Sequence, residues 1–107
     1  MATGTIKGGI GDTSWNSSLG NGIQFRKTRG VVYVRCYLSN ASIGSSAYTT
    51  IGTLPSGYAP DNTIYIVSGT NASGGIGTAY INSSGVIGVK AYSGTGSNFY
   101  FQTCYPV

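Results

Sequence analysis

Asp12 and Asp61 are the only acidic side chains in the sequence, which has no Glu and no His. General acid–base catalysis draws on His, Glu, Asp or Lys with a tuned pKa. A glycosidase works with two carboxyl groups roughly 5–9.5 Å apart. The contexts Gly11-Asp12-Thr13 and Pro60-Asp61-Asn62 fit turns and Asx caps better than an acid–base pair. Cys36 and Cys104 have no imidazole to activate a thiolate. A metal site would need His or a close Cys pair, and neither occurs. Eighteen glycines form no G-x-G-x-x-G or P-loop spacing. These residues argue against an enzyme, and no cofactor or metal is expected.

Binding chemistry is better represented. Arg26, Lys27 and Arg29 cluster at a turn, read either as a solvated loop or as a contact for phosphate on an anionic polymer. Tyr33, Arg35 and Tyr37 superficially imitate the aromatic and basic platforms of single-strand nucleic-acid binders. A net charge of +4 is too thin for a strong phosphate footprint, so no nucleic-acid partner is expected. Tyr33, Tyr37, Tyr65, Tyr80, Tyr92 and Tyr100 fall opposite or beside the apolar positions of their segments. A tyrosine ring offers an apolar face and a hydroxyl at low entropic cost. Such rings, and Trp15, suit either stacking on sugar C–H faces or packing against a neighbouring subunit. Trp15, Tyr33, Arg35, Tyr37, Tyr80 and Tyr92 are the candidate saccharide or interface residues. Four N-x-Ser sequons, at Asn16, Asn40, Asn71 and Asn82, read as chance matches in a chain rich in Asn and Ser.

The elements that must position these residues are strands. Apolar residues recur with period two, and no ten-residue segment carries a helical period. Ile23 and Phe25 alternate with Gln24 and Arg26, and a turn follows at Thr28-Arg29-Gly30. Residues 31–38 read Val-Val-Tyr-Val-Arg-Cys-Tyr-Leu, with Val32, Val34, Cys36 and Leu38 on one face and Tyr33, Arg35 and Tyr37 on the other. Further strands are expected at 48–54, at 63–68 with Ile64 and Ile66 inward, and at 99–103. Residues 76–82 and 86–92 should form a hairpin around Asn82-Ser83-Ser84-Gly85, and 69–75 and 93–98 should be loops. Segments 3–10 and 14–15 could add one or two strands. The expected fold is therefore all-β, an antiparallel, jelly-roll-like β-sandwich of seven to nine short strands with little or no helix.

The 107 residues suffice for one domain. Only 7% are charged, against about 25% in an ordinary soluble domain. Nearly half are Gly, Ser, Thr or Asn, so polar outer faces must rely on hydroxyls and amides, or be covered in an oligomer. No signal peptide is evident and both cysteines are expected as buried free thiols. No apolar run approaches the roughly 18 residues of a membrane span, so membrane insertion is not expected. Met1-Ala2-Thr3-Gly4 reads as a start joined to part of a longer protein.

Leu54-Pro55-Ser56-Gly57-Tyr58-Ala59-Pro60, Ile81-Asn82-Ser83-Ser84-Gly85-Val86-Ile87 and Phe101-Gln102-Thr103-Cys104-Tyr105-Pro106 give the chain a resemblance. From about Gly22 to Val107 it resembles the C-terminal head domains of phage tail-fibre and baseplate proteins. The resemblance implies a single β-sandwich head over 1–107, a homotrimer and a place in the virion's tail. It also implies adhesion to bacterial surface polysaccharide, or docking to another baseplate protein. No binding residue transfers by position, and Leu54 to Pro60 reads as structural.

Overall fold

The computed structural model describes residues 13–107. The expected strand at 3–10 and Asp12 lie outside them. Seven strands follow one another: β1 (Ile23–Thr28), β2 (Val31–Leu38), β3 (Thr49–Thr53), β4 (Ile64–Thr70), β5 (Ile76–Ile81), β6 (Val86–Ala91) and β7 (Phe99–Pro106). All pair antiparallel in one curled sheet of order β1-β2-β7-β4-β5-β6-β3. No helix occurs among the described residues. The fold is all-β and sandwich-like, as the alternation requires.

Curling turns the sheet into two layers. β1, β2 and β7 pair along their lengths, as do β4, β5 and β6. The seam between layers is short: β7 meets β4 only at Tyr100↔Gly69 and Phe99↔Thr70. At the open side the two edge strands approach. The Asn21 side chain donates to the Ile51 carbonyl over 2.7 Å, and the Ile23 side chain lies against Gly52. Between the layers sits one core, which includes Ile23, Phe25, Val32, Val34, Ile81, Ile87, Val89 and Phe99, each no more than 1% exposed. Burying such side chains contributes about 1.5–3 kcal/mol each.

The Leu54–Pro60 stretch closes one end of this core. Tyr58 packs edge-on against Phe25 at 4.9 Å, and the buried Tyr105 hydroxyl donates to the Tyr58 carbonyl. Burial raises the Tyr105 pKa. The sequon asparagines are turn devices: Asn82 Oδ1 accepts from the Ser84 and Val86 amides, and Asn71 Oδ1 accepts from Ser97 and Asn98.

Several expectations need correction. β4 runs on to Thr70, where the sequence suggested a loop from residue 69, because inward Ser68 and Thr70 are polar yet buried. β7 runs three residues beyond the expected end, because Tyr105 continues the inward set of Phe99 and Phe101. Cys36 is buried, but Cys104 is exposed on β7, and both are free thiols. Period two counted from Phe99 places Cys104 on the outer side. Residues 14–15 form no strand, although Asn16 bridges Phe25.

Candidate functional site

Antiparallel pairing sets the outward side chains of β1, β2 and β7 in rows. One row holds Gln24, Arg35 and Gln102, and the next holds Arg26, Tyr33 and Cys104. On the other side of the glutamine row, Tyr37 faces Tyr100. Opposed side chains in a sheet lie within about 5.5 Å and interact directly. The Tyr37 and Tyr100 rings meet edge-on at 5.7 Å.

Trp15 reaches this face from outside the strands. Residues 13–16 lie along β1, held by Thr13 N to the Lys27 carbonyl and by reciprocal bonds between Asn16 and Phe25. The indole ring lies 3.8 Å from the Arg35 guanidinium carbon and 5.8 Å from that of Arg26. Such stacking contributes about 0.5–1 kcal/mol at exposed sites. Arg35 Nε donates to Gln24 Oε1 over 2.7 Å, and Arg26 Nη2 donates to Thr28 Oγ1 over 2.8 Å. Both arginines are thus held by neutral acceptors. Arg26 Nε is buried with no hydrogen-bond partner.

Three depressions mark the face. One of about 450 Å³ is lined by residues including Gln24, Arg35, Tyr37, Tyr100 and Gln102. A second, of about 340 Å³, lies among Trp15, Arg26, Thr28 and Tyr33. A third, of about 280 Å³, includes Trp15, Tyr33, Arg35, Gln102 and Cys104. Beneath the first, Cys36 is buried, and loss of solvent pushes its thiol up to about 11, against a smaller opposing effect of the Leu38 backbone.

Four of the six candidates, Trp15, Tyr33, Arg35 and Tyr37, come together here. Tyr80 and Tyr92 do not. Tyr80 is half-buried on the outer side of the other layer, where Tyr48 meets it at 4.9 Å and Tyr65 at 6.4 Å. The Lys90 ammonium lies 4.7 Å from the Tyr48 ring centre. Tyr92 follows β6, is 77% exposed, and donates its amide to the Ile76 carbonyl. The basic cluster is split by the strand period: Arg26 points outward, Lys27 is buried, and Arg29 sits in the turn with φ 52°. Sequence reasoning marked Tyr100 as an outward ring but left it, with Gln24 and Gln102, out of the candidate set. Their alternation with Ile23, Phe25, Phe99 and Phe101 marked them as outward, but pairing across strands was needed to bring them to Arg35.

Two glycines shape the aromatic surface. Tyr100 lies over Gly69 and Tyr80 over Gly88, each glycine being the tyrosine's opposite number on the neighbouring strand. A Cβ at either position would strike the ring. The missing side chain lets each ring lie down on its neighbour, an arrangement that rescues a glycine within a sheet.

The chain is similar in structure to the crystal structure of the head domain of phage bIL170, described in connection with a common fold for receptor-binding domains of lactococcal phages. The TM-score is 0.61 at 20% identity, covering 92% of this chain and 98% of that one. No family model matches the chain, and no curated protein does.

Proposed function

We propose that this protein is the receptor-binding head of a phage tail-fibre or baseplate protein, and that it adheres to host surface glycan without catalysis. The observation that carries this reading is the outer face of β1, β2 and β7. There Trp15 stacked on Arg35, and Tyr37 against Tyr100, flank a row of two glutamines and an arginine. Aromatic rings meet the apolar faces of sugars; amide and guanidinium groups meet their hydroxyls. The similarity in fold to a phage head domain supports the virion setting. The head works as a homotrimer. Single saccharide contacts are weak, and several heads on one particle turn them into firm adhesion through effective concentration. With two carboxylates in the chain and Asp61 exposed after Pro60, hydrolysis has little chemistry to draw on.

A second reading has its own observation. On the β4–β5 side, Tyr65, Val67 and Ile76 are 70%, 76% and 50% exposed. Apolar side chains this exposed suit a protein contact, as expected of a structural baseplate or trimerisation module that docks another phage protein. A bacterial glycan array paired with light scattering separates the two. Glycan signals lost on Trp15→Ala support adhesion; a stable trimer with no glycan signal supports the docking module. Sugar release from wall polymer that stops in Asp61→Asn would overturn both.

A further inference from the structure

We infer that the outer face of β1, β2 and β7 holds an extended saccharide chain rather than a single sugar, gripped at two ends. The inference rests on the saccharide reading above and specifies the form of the ligand.

The three depressions adjoin one another and share walls. Arg35 and Gln102 line both the Tyr37–Tyr100 depression and the one beside Trp15, and Trp15 and Tyr33 line both of the latter pair. The path therefore follows β2 from Tyr37 to Tyr33. Four residues of strand span about 13 Å, longer than one sugar ring with its linkage. The chemistry repeats along it. Tyr37 with Tyr100 stands at one end and Tyr33 at the other, the row of Gln24, Arg35 and Gln102 lies between, and the Trp15 ring covers Arg35 on the Tyr33 side.

Both platforms are fixed before any ligand arrives. Tyr100 rests on Gly69 and is met by the edge of Tyr37. The Trp15 ring is backed by Arg35, which Gln24 holds in turn. Ordering cost on binding is correspondingly small.

The test uses the full chain and the polysaccharide that binds best on a bacterial glycan array. Partial acid hydrolysis supplies size fractions from monosaccharide upward, titrated by calorimetry. Affinity should rise at least tenfold between the monosaccharide and fractions long enough to reach both platforms. Tyr37→Ala and Trp15→Ala should each weaken long fractions about tenfold, and together about a hundredfold, since distant sites add. On the monosaccharide only one of the two should matter. Thermal melts check folding; if Trp15→Ala unfolds, Tyr33→Ala carries the same expectation. Equal affinity across sizes, or sensitivity of long fractions to one end alone, overturns this inference and leaves saccharide binding standing. Absence of binding to every glycan overturns the saccharide reading and this inference with it.

Discussion

The two layers share one core and present opposite chemistry on their outer sides. The β1–β2–β7 face carries Arg26, Arg35, Gln24 and Gln102 among its rings, and it is hollowed. The β4–β5–β6 face carries Tyr65, Val67, Ile76 and Tyr80, with Lys90 resting against Tyr48 as its one cation among the described residues. Both faces use the same device, a tyrosine laid on a glycine across the strand pair. On the first face the tyrosine borders a depression; on the second it joins an aromatic cluster. The same local rule thus serves a polar, hollowed surface in one place and an aromatic, apolar surface in the other. The surroundings decide: amides and guanidinium groups beside Tyr100, aliphatic and aromatic groups beside Tyr80.

The strongest way to break the comparison is to charge the apolar face. Val67→Asp with Tyr65→Asp should dissolve the homotrimer proposed above and weaken whole-cell adhesion by about a hundredfold or more, as lost avidity does, with calorimetric affinity for glycan unchanged. Light scattering and cell pull-down read the two halves of that expectation. Next, the glycines separate the faces. Gly69→Val and Gly88→Val should each cost about 1–3 kcal/mol by forcing a ring off its neighbour, as seen in urea melts. Only Gly69→Val, which displaces Tyr100, should also weaken glycan binding. A smaller contrast comes from the cations: Arg35→Gln should cost about tenfold in glycan affinity, and Lys90→Gln should leave it unchanged while removing under about 1 kcal/mol of stability.

The smallest expected effect concerns pH. The Cys36 thiol has its pKa raised from 9.0 to about 11 by burial, so the folded state holds its proton more tightly than the unfolded chain. The stability this confers is complete below pH 9 and is lost as pH rises toward 11, roughly 1 kcal/mol by pH 10. The buried Tyr105 hydroxyl, also raised, steepens the fall above pH 10. Urea melts from pH 7 to 10.5 should trace it, and Cys36→Ala should move the onset upward. In the same range, maleimide should label exposed Cys104 well before Cys36.

What was legible in the sequence was whatever period two controls. β2 alternates buried and exposed from Val32 to Leu38, as its residue types require. The Ile87, Val89 and Ala91 set of β6 is buried for the same reason. The same count would have turned Lys27 inward and Cys104 outward; residue type was allowed to outweigh position, and position won. Ser68 and Thr70 were illegible as core because hydroxyls near glycines look like loop, whereas here the Ser68 hydroxyl donates to the Gly69 and Tyr100 carbonyls. The bulge between Thr50 and Gly52 left no mark in the pattern. The candidate residues on β2 could be chosen from one strand. Their union with Trp15 could not, because the indole arrives from residues outside any strand and its neighbours are set by pairing across the sheet.

The brevity of the seam at Gly69–Thr70 has a mechanical consequence. Tension between Thr13 and anything held on Arg35 passes through β1 and β2, whose many rungs are loaded together in shear. The two-rung joint to the other layer stays off that load path, so a pull between those two points leaves the layers joined.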